Sequence, residues 1–134
     1  MRILIADDDS VCCQSLVMYL SLLGDVDTVE TGKAAVEAVR TALDQKLPYG
    51  LIFLDIIMPE CDGQEALQHI RSLEAKRGIH GLACVKVVMV TCLDDHKQVM
   101  ISFTRQAEAY LVKPVDPAKL RLVLRDFGIL GKEV

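Results

Sequence analysis

LIFLDIIMPECDGQEALQHIRSL, residues 51–73, changes period partway along its length. Leu51 to Leu54 is a continuous apolar run, the length of a strand buried on both faces. It stops at Asp55, passes a Met58-Pro59 loop and then meets Asp62-Gly63, which reads as a turn. Beyond it Ala66, Leu67, Ile70 and Leu73 recur at helical spacing and mark an amphipathic helix. A doubly buried strand followed by such a helix is one step of a parallel sheet, because the next parallel strand needs a crossover.

The step repeats in both directions along the chain. Ile3 to Ala6, Val26 to Val29, Val85 to Val90 and Ala109 to Val112 are the other short apolar runs. Val26 to Val29 is the weakest and belongs at a sheet edge. Helical spacing appears in Val11, Ser15, Leu16, Tyr19, Leu20 and Leu23, then in Ala35, Ala38, Val39, Ala42 and Leu43. It returns in His96, Val99, Met100 and Phe103, and finally in Leu120, Val123, Leu124 and Phe127, after which the tail offers nothing more to bury. Residues 78–83 form the longest connection without a period. The expectation is an α/β fold, a doubly wound five-stranded parallel sheet with helices on both faces.

Bulk properties narrow the function. A chain of 134 residues, 51% of them hydrophobic, builds one core and one domain, 1–134. Its net charge of −4 and lack of a dense Lys/Arg stripe give no footprint for nucleic acid. The five cysteines, Cys12, Cys13, Cys61, Cys84 and Cys92, are odd in number and lack metal-ligand spacing, which suits reduced thiols in a cytoplasm. The Cys12-Cys13 pair reads as two half-buried small residues, and Cys61, in a loop, as the more reactive thiol. The N-terminal apolar run is too short and too soon acidic for a signal peptide, and no segment reaches membrane-spanning length.

Chemistry gathers where the strands end. Asp7 and Asp8 follow the first run, Asp55 the third, Thr91 the fourth and Lys113 the fifth. In an open parallel sheet these ends line one crevice, so residues distant in sequence should meet. Three carboxylates there repel one another unless a hard cation takes their oxygens, which points to Mg²⁺. One carboxylate, Asp55, is then available as a nucleophile toward phosphorus. A cation, an ammonium and a hydroxyl suit the oxygens of a transferring phosphoryl group, and Mg²⁺, Lys113 and Thr91 supply them.

Taken together, Asp7 to Asp9, DIIMPECDG at residues 55–63, Val90-Thr91 and Lys113-Pro114 resemble, in order and spacing, the receiver domain of two-component response regulators. The resemblance spans essentially the whole chain. It implies a flavodoxin-like three-layer α/β/α sandwich with strand order 2-1-3-4-5. It implies metal ligation by Asp7, Asp8, Asp55 and the Ile57 carbonyl, and an aspartyl phosphate on Asp55. Thr91 and Lys113 then contact the phosphoryl group, while Thr91 and Tyr110 act as the switch, Tyr110 matching an aromatic that turns inward on activation. The Lys113-Pro114 bond is usually cis in this family. Ile57 and Leu93 fall at positions that are often polar in relatives and tune hydrolysis; apolar residues there would orient water poorly and imply slow loss of phosphate. Cys92 replaces the small residue usual after the threonine.

The implied partners are a sensor histidine kinase or phosphotransfer protein and an unidentified downstream protein, with no direct contact to nucleic acid and no membrane insertion. A monomer or weak dimer in the cytoplasm, presenting a face from His96 to Tyr110 and the last helix, fits that role. If the chain is complete, its output is a protein contact. Such a chain catalyses only its own phosphorylation and dephosphorylation.

Each member of the set also has a plain structural reading. An acidic triplet after a strand often caps a helix, and Asp9 is expected to do so. Tyr110 fits an ordinary strand aromatic. From another class, Asp7-Asp8-Asp9-Ser10-Val11 fits the D-x-D-x-[TV] motif of haloacid dehalogenase-type phosphatases, with Asp7 as nucleophile. That family needs further acidic residues at a strand end beyond the lysine, and here Asp116 and Asp126 follow in a helical stretch.

Overall fold

A computed structural model describes residues 1–56, 58, 62–92 and 107–129, except for the side chains of Thr91 and Cys92. Five strands form it: β1 (Arg2–Ala6), β2 (Asp25–Val29), β3 (Leu51–Asp55), β4 (Lys86–Cys92) and β5 (Ala109–Lys113). All neighbours pair in parallel, in the order β2-β1-β3-β4-β5. β2 lies at an edge, as its weak apolar run implies.

Helices α1 (Ser10–Leu20), α2 (Gly32–Asp44), α3 (Gly63–Lys76) and α4 (Pro117–Asp126) cover the sheet. Leu4, Ala6, Ile52, Leu54, Val87 and Met89 pack with α2 and α3, while Ile3, Ile5, Leu51, Phe53, Val88 and Val90 pack with α1 and α4. Alternate residues of the same strands thus feed two separate cores, which is why β1 and β3 are apolar without interruption. The helical stretch expected over 96–103 lies outside the described residues.

Each helix starts at an oxygen-bearing cap: Asp9, Thr31, Asp62 and Asp116 accept hydrogen bonds from first-turn amides. Asp9 therefore caps α1 as expected, whereas Asp62-Gly63, read as a turn, is the cap and first residue of α3. A short 3₁₀ turn, Gly81–Ala83, punctuates the connection before β4.

Two readings need correction. Val11, Ser15 and Tyr19 were expected on the buried stripe of α1, but all three are exposed and the buried residues are Leu16 and Leu20. An uncharged helix carries apolar residues all round, so its periodicity has no unique phase. The tail beyond Phe127 also buries something: Gly128 turns the chain at φ 76°, its N–H reaches the Arg125 carbonyl, and the Ile129 N–H reaches Leu124 at 2.9 Å. That Schellman closure returns Ile129 to the core of α1 and α4.

Candidate functional site

The C-terminal ends of β1, β3 and β5 bring Asp7, Asp55 and Lys113 together. Lys113 Nζ donates to Asp7 Oδ1 at 3.1 Å and to Asp55 Oδ2 at 3.0 Å, and lies 3.9 Å from Asp9 Oδ2. Asp7 and Asp55 are buried, with 3% and 5% of their surface exposed, whereas Asp8 faces solvent. Carboxylate oxygens of Asp7, Asp8 and Asp55 all lie within 4.8 Å of one another.

One ammonium among these carboxylates leaves the cluster anionic. Burial holds the Asp55 carboxyl up, and despite the opposing hydrogen bond from Lys113, with Asp7 adding to the rise, it reaches about 6. Burial works against the Lys113 charge, but its hydrogen bonds to Asp55 and Asp7 win and hold it above the ordinary lysine range. Asp7 Oδ1 also accepts the Asp9 N–H at 2.8 Å, while Asp7 Oδ2 is buried without a hydrogen-bond partner among the described residues. A buried carboxylate oxygen left over in an acidic cluster suits a hard divalent cation.

Thr91 is placed at the same rim by its backbone, pairing with Val112 beside the Cys92–Lys113 pair; its side chain lies outside the described residues. Ile57, Cys61 and Leu93 lie wholly outside them. Tyr110 sits on β5 with 38% of its surface exposed. The Lys113-Pro114 bond is cis.

Two residues read from sequence only as a turn glycine and one of a half-buried thiol pair are neighbours of the site. Gly63 opens α3 against the backbone that carries Asp55: a Cβ there would lie 2.3 Å from the Asp55 carbonyl oxygen and 2.9 Å from Ile56 Cα. The Gly63 N–H donates to the Ile56 carbonyl at 2.8 Å. Cys12, half-buried on α1, lies beside Asp7, and burial together with that carboxylate pushes its thiol up to about 12. Neither closeness is visible in sequence spacing, because both depend on how a helix start sits over a strand end.

Comparison with known proteins agrees with this geometry. Residues 3–125 match the response regulator receiver domain family. The chain is 28% identical over 120 residues to the uncharacterized transcriptional regulatory protein YhcZ of Bacillus subtilis, covering 90% of this chain and 51% of that protein. It is 31% identical to the sensor protein GacS of Pseudomonas syringae, over 96% of this chain and 14% of GacS. The chain thus spans about half the length of YhcZ, and a small part of GacS. Among solved structures, the receiver domain of the histidine kinase CKI1 from Arabidopsis thaliana, complexed with Mg²⁺ and BeF₃⁻, superimposes with a TM-score of 0.78 at 25% identity, covering 95% of this chain and 89% of that one. No feature of the structure favours the haloacid dehalogenase alternative. The chain belongs to the response regulator receiver domain family.

Proposed function

We propose that residues 1–134 act as one receiver unit that accepts a phosphoryl group on Asp55 from a phosphohistidine on a partner kinase or phosphotransfer protein. The observation that carries this reading is the Lys113 ammonium bridging Asp7 and Asp55 at 3.1 and 3.0 Å inside a three-carboxylate cluster. Asp7, Asp8 and Asp55, with the Ile57 carbonyl, would hold Mg²⁺, which offsets charge on the incoming phosphoryl oxygens. A carboxylate oxygen of Asp55 attacks phosphorus as the phosphorus–nitrogen bond of the donor breaks, and Lys113 and Thr91 receive the equatorial oxygens. No further chemistry is asked of the protein, so it modifies itself and then signals.

Phosphate on Asp55 adds dianionic charge beside Thr91 and Lys113, and drawing them toward it biases β4 and β5 toward a second packing. Tyr110, exposed on β5, would swing inward and report that change. Among the described residues no helix is long and apolar enough to cross a membrane, in keeping with a cytoplasmic role.

The test is incubation with acetyl phosphate and Mg²⁺ followed by site mapping. A hydroxylamine-labile phosphoryl group on Asp55, absent from Asp55→Ala, is expected. Label on Asp7, or none on the folded protein, would overturn the assignment. Apolar Ile57 and Leu93 further predict slow hydrolysis, which a phosphate lifetime of seconds would contradict.

A further inference from the structure

Helix α1 presents a second apolar stripe that the fold does not use. Val11, Ser15 and Met18 on α1, and Leu22 in the turn that follows it, are spaced by four, three and four, the interval of a helix–helix seam. Val11, Met18 and Leu22 are 71%, 77% and 90% exposed, and Tyr19 beside them is 46% exposed. Four large apolar side chains along α1 and the turn after it are more than the scattered surface residues that need no explanation. The stripe continues into a groove of about 310 Å³ toward α4, lined by Tyr19, Leu22, Leu120, Leu124 and the Arg121 side chain.

Charge identifies what covers it. Residues 10–24 contain no charged side chain, although 25% of the chain is charged. Such a seam meets its own copy without like-charge repulsion and offers no charges along α1 for choosing a different helix. At the two ends the charges are opposite. Asp9, with its side chain 47% exposed, stands at the start of the stripe. Arg121, exposed and without an ion pair among the described residues, stands near its far end.

From this we propose that two copies of the chain associate through α1 in antiparallel, two-fold fashion. Leu22 of each copy packs on Val11 of the other, Met18 faces Ser15, and Arg121 reaches Asp9 of the other copy. Two-fold symmetry makes every contact occur twice, as an isologous interface requires. The helical part of the seam, from Val11 to Met18, is only about 11 Å long, and Leu22 extends it into the turn. A patch of that size lies at the low end of specific interfaces, so the dimer is reversible and forms with rising concentration.

Sedimentation velocity over a concentration series tests this, with circular dichroism checking the fold. Wild type should pass from monomer to dimer. Leu22→Glu and Met18→Glu, both at exposed positions, should keep the fold and weaken association about thirtyfold or more. Arg121→Glu should weaken it about tenfold, and less so at high salt, where the pair is already screened. Oxidative crosslinking fixes the direction: a mixture of Ser15→Cys and Met18→Cys proteins should crosslink above the wild-type background, while Ser15→Cys alone should not. A wild type monomeric throughout, a dimer indifferent to Leu22→Glu, or crosslinking of Ser15→Cys alone would overturn the proposal. None of these readouts involves phosphorylation, so their failure leaves the reading of Asp55 untouched.

Discussion

At the scale of single residues, the site is a balance between one ammonium and three carboxylates, and protons report it. The fold holds the Asp55 carboxyl at about 6 against an ordinary 3.8. The folded chain thus favours the protonated form, so this group's contribution to the metal-free fold is full below about pH 4 and is lost as pH rises through 6. A cation competes with that proton. Mg²⁺ affinity, measured by calorimetric titration, should be nearly constant well above pH 6 and fall by up to about tenfold per unit below it. Lys113→Met separates the roles. Removing the ammonium takes its cation from two buried carboxylates and should cost the metal-free protein on the order of 3 kcal/mol at neutral pH. The more anionic cluster should bind Mg²⁺ more tightly while accepting phosphate more slowly, and equal losses of both would contradict the division of labour. Cys12 supplies a quieter check: with its thiol near 12 it should resist iodoacetamide at neutral pH in the folded protein and react on unfolding.

At the scale of elements, Gly63 couples α3 to the strand that carries Asp55. Alanine there would meet only backbone atoms, at 2.3 and 2.9 Å, so the helix start must move. Gly63→Ala should destabilise by about 1–3 kcal/mol and also lower Mg²⁺ affinity. Gly24→Ala is the control, because its Cβ would strike the Met1 carbonyl oxygen at 2.0 Å at the opposite end of the sheet. It should cost stability and leave Mg²⁺ affinity alone; an equal effect on metal would show that Gly63 acts only through global stability. Elements were the most legible level of the sequence. Continuous apolar runs at β1, β3 and β4 and polar residues at their ends carry the sheet and its functional rim, since a parallel strand buried on both faces leaves few alternatives. The phase of α1 was not legible, because a helix without charges has two apolar stripes and only packing selects between them. The closeness of Gly63 and Cys12 to the site was not legible for a related reason: spacing along a chain does not encode how closely a helix start approaches a strand end.

At the scale of the molecule, parallel strands sort function and stability to opposite ends of the sheet. The C-terminal rim gathers the repelling carboxylates, and the other end is tied by ion pairs whose members satisfy one another. Arg71 on α3 donates from Nη1 to Glu74 at 2.8 Å and to the Val85 carbonyl at 2.9 Å, and from Nη2 to both carboxylate oxygens of Glu108 at 3.0 Å. Glu74, 3% exposed, also accepts the Val85 N–H at 2.7 Å, and Glu108 accepts the Val87 N–H at 2.6 Å. One guanidinium thus ties α3 to the starts of β4 and β5. Arg71→Met would keep much of the aliphatic stem and leave the buried Glu74 carboxylate without its cation, which should cost roughly 3 kcal/mol. For a chain of this size the midpoint of thermal unfolding should fall by roughly 10 °C. Replacing Glu74 with Gln in the same chain should recover part of that loss, since the neutral amide no longer needs the guanidinium. Mg²⁺ affinity and acetyl phosphate labelling at Asp55, measured well below the lowered midpoint, should match wild type. Loss of labelling in the folded Arg71→Met protein would mean that the clamp and the acidic rim are one cooperative unit, and the separation by sheet end would fail.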